Sequence, residues 1–151
     1  DQPIGVDFGE QEISGDEENV DIPLLIIIPT IDVDPGETYA KQLSRIFVER
    51  FSSYSNQNDN QHIDDVLPMV TDAMYRWIET QRIDKSNEYE GITTHVIASS
   101  VEEFGISSAV ILVDAQQILE TVTDKEVVQK SGKVSLVKVD DEWKVSGFFW
   151  D

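Results

Sequence analysis

His95 and Asp114 are the side chains best placed for acid–base work. Both fall in stretches rich in Ile and Val that read as neighbouring strands, so a His–Asp contact is within reach. Such a pair could act as a general base held by a carboxylate, with Tyr39, Tyr54 or Tyr75 stabilising an oxyanion beside it. Strand parity alone does not put His95 and Asp114 on one face. Each also has a simpler reading. His95 reads as a half-exposed strand residue. Asp114 interrupts the apolar run 109–115 and reads as an outward-facing position or as a partner for a nearby lysine, because an unpaired buried carboxylate is costly.

Metal and cofactor chemistry finds less support. His62 stands beside Asp64 and Asp65, which could hold a structural ion, yet carboxylates are ordinary at a helix start, where they suit the dipole. Asp32, Asp34 and Glu37 do not follow calcium-loop spacing. There is no Gly-rich phosphate loop, zinc pattern or nucleophile elbow. Cysteine is absent, which excludes disulfides and thiolate metal sites. No cofactor and no metal is expected. The 11 Lys and Arg against 30 Asp and Glu give a net charge of −19. That charge disfavours nucleic acid and anionic lipid as partners, since both need clustered cations.

The elements that would carry these residues are clearest at the C-terminal end. Residues 133–139 alternate apolar and polar, Asp140-Asp141-Glu142 make an acidic turn, and residues 143–150 return with the same period. Strict alternation puts Trp143, Val145 and Phe149 on one face and Phe148 and Trp150 on the other. Two of the three tryptophans lie in this last strand, so the chain end is expected to be locked into a sheet. Upstream, residues 91–104, 107–122 and a strand starting at 126–129 are β-prone, with Ser131-Gly132 read as a bulge or bend.

Helices precede these strands. Asp34, Pro35 and Glu37 form a helix start, and Tyr39, Leu43, Ile46, Phe47 and Phe51 make a stripe on a helix over 35–53. Residues 52–61 read as a polar loop, 62–67 as a short helix stopped near Pro68, and 72–83 as a third helix capped by Thr71 or Asp72. Met74, Trp77 and Ile78 form its apolar side. Three helices followed by a meander of about four strands predict an α+β fold, with the helices on one face of a curved antiparallel sheet.

Residues 34–151 are expected to form this single domain, with 1–33 as an appendage. Residues 1–36 hold ten of the 30 acids and none of the 11 bases, leaving −9 for the rest. The first 21 residues read as a mobile acidic arm. The apolar run 22–29, carrying Leu24, Ile26 and Ile28 between prolines, either packs along the domain as an edge segment or serves as a partner-binding strand. No segment reaches the roughly 20 apolar residues that span a bilayer. The chain begins at Asp1 rather than Met, so a signal or anchor could precede it.

This order of helices and strands, with the ending WKVSGFFW, resembles the nuclear-transport-factor-2-like (cystatin-like) cone over residues 35–151. Within that superfamily it is similar to the extracytoplasmic domain of VirB-type scaffold proteins of type IV secretion and conjugation machines. It is also similar to single-span proteins of minimal-genome bacteria, around residues 47–71. The resemblance implies a soluble domain held outside the membrane by an upstream anchor, with the acidic arm as linker. It implies a non-enzymatic binding or scaffold role through protein partners or self-association. Candidate contact residues are Leu24, Ile26 and Ile28 on the apolar run and Tyr54 and Asn56 on the polar loop. The alternative is a small-molecule-binding or catalytic cone using His95 and Asp114.

Overall fold

Helix α1 spans Pro35–Phe51 and lies across the sheet, chiefly against its first long strand. The computed structural model describes residues 35–85 and 88–151, so the helix-capping role of Asp34 and the run 22–29 lie outside the described residues. The buried line of α1 is Ala40, Ser44, Phe47 and Val48, with Leu43 and Phe51 packed at its edge. This corrects the expected stripe at its N-terminal end, where Tyr39 is 50% exposed. Small residues at 40 and 44 let the helix backbone approach the sheet; a tyrosine on that line would hold it off.

Between α1 and the sheet lie β1 (Tyr54–Ser55), α2 (Gln61–Val66), a tight turn of 3₁₀ helix (Leu67–Met69) and α3 (Asp72–Glu79). Residues 52–61 are therefore not wholly loop, because Tyr54 and Ser55 pair with Ile92 and Gly91. Thr71 caps α3, its hydroxyl accepting from the Met74 N–H at 3.3 Å. The helix stops four residues before the expected end. There the Thr80 hydroxyl donates to the Trp77 carbonyl, and Arg82 folds back onto Glu79 at 2.7 Å. Met74 and Ile78 are buried as expected, while Trp77 is 45% exposed at the rim of a cleft.

The sheet is a five-stranded antiparallel meander, β1 followed by β2 (Glu90–Phe104), β3 (Ser108–Thr121), β4 (Lys125–Val139) and β5 (Glu142–Trp150). Extra residues interrupt the ladders at Ile97 and Glu102 on β2 and at Ser146 on β5. Bulges increase twist and bend a strand, and these three curl the sheet around the helices. The Ser146 bulge also resets parity. Trp143 and Val145 face the core, and beyond the bulge Phe148 and Trp150 join them while Phe149 turns outward. This corrects the assignment drawn from strict alternation. Ser131 and Gly132 pair in register with β3, so no bulge falls there. The β4–β5 turn places Asp140 and Asp141 at φ 53° and 66°, the geometry of a tight hairpin turn. No helix of the described residues is long and apolar enough to cross a membrane.

Candidate functional site

The structure does not bring His95 and Asp114 together. His95 pairs with Gln116 and Asp114 with Ala98 and Ser131, all on the sheet face turned away from the helices. Both side chains are exposed. Asp114 accepts a 2.6 Å hydrogen bond from the Ser131 hydroxyl, a cross-strand pairing that suits the outward-facing reading. Tyr39 and Tyr75 are exposed on their helices, away from either residue. The same outer face carries Ile97, Leu112 and Phe149. Leu112, Lys133 and Phe149 stand opposite one another across three strands, and Lys133 is paired with Glu102 at 3.2 Å. An apolar row therefore crosses this face, flanked by an ion pair.

Tyr54 and Asn56 sit at the other edge. Asn56 works as a backbone clamp. Its amide nitrogen donates to the Glu88 carbonyl and its amide oxygen accepts from the Glu90 N–H at 3.0 Å. Asn60 repeats the device on Ile83, donating to its carbonyl at 3.0 Å and accepting from its N–H at 2.8 Å. An amide side chain carries one donor face and one acceptor and so substitutes for a strand neighbour. Tyr54 stacks on His62, with ring centroids 4.5 Å apart. The His62 ring is 5% exposed, and its Nδ1 has no partner among the described residues. Burial first, then Arg82, holds this imidazole below its ordinary value, against Asp64 and Asp65, which raise it. Those two carboxylates are exposed and bond Arg82 and Gln61 instead.

Between α1, α3 and the inner sheet face opens a cleft of about 400 Å³, walled by Phe51, Trp77, Phe148 and Trp150. Its polar groups are Gln117 and Lys130. The Gln117 amide N–H donates to Thr94 Oγ1 at 3.0 Å, and the Thr94 hydroxyl donates to the Ser52 carbonyl at 2.6 Å. Lys130 lies over the Trp150 ring, 5.6 Å from its centroid. Sequence reading missed Gln117, although it shares parity with Val113 and Ala115, which is the signal of an inward polar residue. Lys130 and Trp150 could not be matched without the bulge at Ser146.

A curled antiparallel meander with helices closing its inner side and an aromatic cleft at the mouth is the nuclear-transport-factor-2-like cone, α+β in class. No family model and no curated protein matches the sequence. Solved structures do match. A protein described as Ntf2-like and involved in plasmid conjugation superposes with TM-score 0.55 at 15% identity over 76% of this chain. The chain spans 48% of that protein's length. VirB8 of Agrobacterium tumefaciens matches at TM-score 0.62 and 11% identity, over 81% of this chain and 96% of that one. The periplasmic domain of DotI matches at TM-score 0.60 and 8% identity, over 81% and 97%. At such identities the likeness is one of fold.

Proposed function

We propose that this chain is a non-enzymatic binding or scaffold domain, the exported soluble part of a membrane-anchored protein in an envelope or secretion assembly. The observation that carries this reading is the match to VirB8 over 96% of that chain. The match to a domain described as periplasmic supports the extracytoplasmic placement. Residues 34–151 act as the assembling unit and 1–33 as its acidic tether. Partners are proteins, including further copies of this chain. Contact with the membrane runs only through an anchor.

The outer sheet face supports the role with a surface. Phe149 is 55% exposed and Leu112 shares its cross-strand row. Exposed apolar rows edged by polar groups mark protein contacts more often than chance. A photo-crosslinking residue at Phe149 or Leu112, introduced in the source cell, tests this. Adducts with envelope proteins or with a second copy are expected there and not from Tyr75 on α3. Adducts only with cytosolic proteins, or none at either position, would sink the reading.

A further inference from the structure

We propose that the cleft between Trp77 and Trp150 is a binding site for a small aromatic acid carrying a hydrogen-bond donor at its other end. This goes beyond the scaffold role and rests on different residues. The hydrogen bonds orient the site. Thr94 has one hydroxyl hydrogen, and it is committed to the Ser52 carbonyl. Thr94 Oγ1 therefore accepts from Gln117, which turns the amide N–H of Gln117 toward Thr94. Gln117 Oε1 accepts no hydrogen bond from the described residues, although the residue is nearly buried and lines the cleft. The site thus offers one acceptor, which asks for an O–H or N–H from a ligand.

Lys130 supplies the second recognition element. It makes no ion pair among the described residues, in a chain carrying 30 acids. It lies on the rim of the cleft against Trp150. Gln117 pairs with Val128, so Lys130 is its diagonal neighbour on the inner face. Such neighbours are about 7–8 Å apart, a spacing that a hydroxyaryl acid can bridge. The aromatic walls take the ring, and the volume of about 400 Å³ falls in the range of small-molecule sites.

The probe is 4-hydroxyphenylacetate, with phenylacetate removing the donor and 4-hydroxyphenylacetamide removing the charge. The readout is the indole N–H resonances of the intact chain, because Trp77 and Trp150 border the cleft and Trp143 does not. Saturable shifts of Trp77, Trp150 and the Gln117 amide are expected, with Trp143 unmoved. Both control compounds are expected to bind several-fold more weakly. Lys130→Met should abolish the preference for the acid over its amide while leaving the ligand-free spectrum in place, which separates lost recognition from lost folding. Absence of saturable shifts up to the solubility limit, shifts of Trp143 in step with the others, or an unchanged acid preference in Lys130→Met would each overturn the proposal.

Discussion

Gly132 is the position where a missing side chain decides the packing. A Cβ there would lie 2.8 Å from Trp150 Cε3 and 3.0 Å from the Phe149 carbonyl oxygen. The Trp150 indole therefore rests on bare backbone, and only glycine leaves it room. Gly132→Ala is expected to displace the indole and cost about 1–3 kcal/mol, as overpacking does. Urea unfolding and the position of the Trp150 indole resonance would check this. His62 carries a pH signature. Its imidazole is held down in the folded chain by burial, so on acidification the unfolded chain takes up that proton first. The stabilising contribution is fully present above the ordinary value of 6.5 and fades as pH falls through the lowered folded value. Titrating carboxylates add their own slope, so the informative quantity is a difference. His62→Phe keeps a ring against Tyr54 and removes the titration. Its Tm should fall less than that of the parent between about pH 7 and 5. Equal slopes would mean that His62 is already charged in the fold.

At the scale of elements, the sequence announced the strands and concealed their bulges. The period of residues 143–150 is plain, and so is the turn before it. Yet Phe148 and Trp150 changed sides because Ser146 has no single partner on β4. A bulge is a property of two strands in register, so one strand read alone cannot reveal it. The α1 stripe misled for a related reason. Hydrophobic periodicity favours Tyr39, but the approach of helix to sheet favours Ala40 and Ser44, and that approach is tertiary. The residues of the cleft were hidden twice over, since they come from α1, α3 and three strands of a sheet curled by those bulges. His95 and Asp114 were visible as chemistry but stand on the outer face, because each alternates with buried neighbours, Thr94 and Val96 for one, Val113 and Ala115 for the other. The β4–β5 turn invites a direct change. Asp140 and Asp141 both adopt positive φ and set like charges side by side. The double change Asp140→Asn and Asp141→Gly matches the turn's preferred residues and should raise stability by roughly 1 kcal/mol, read from denaturant midpoints at unchanged slope.

For the whole molecule, charge determines how association must respond to salt. The chain carries −19, and residues 1–36 contribute ten acids and no base. Two copies brought together repel, and added salt screens that repulsion over a Debye length of about 8 Å at physiological ionic strength. Self-association through the outer sheet face should therefore strengthen as salt rises, helped by the apolar row of Leu112 and Phe149. Capture of a basic partner would behave oppositely, because screening then removes an attraction that steers the encounter. Phe149→Asp separates the surface from the net charge. It should abolish a salt-strengthened dimer by placing a carboxylate beside Glu102 and Asp114, while shifting total charge by only one unit. Light scattering of the intact chain across a hundredfold range of concentration, at low and high salt, reads the sign. A mass that grows with salt in the parent and stays at one chain in Phe149→Asp assigns the face to self-association. A mass of one chain under all conditions, with a basic partner released by salt, assigns the scaffold role to heterologous contacts and makes the acidic residues its main determinant.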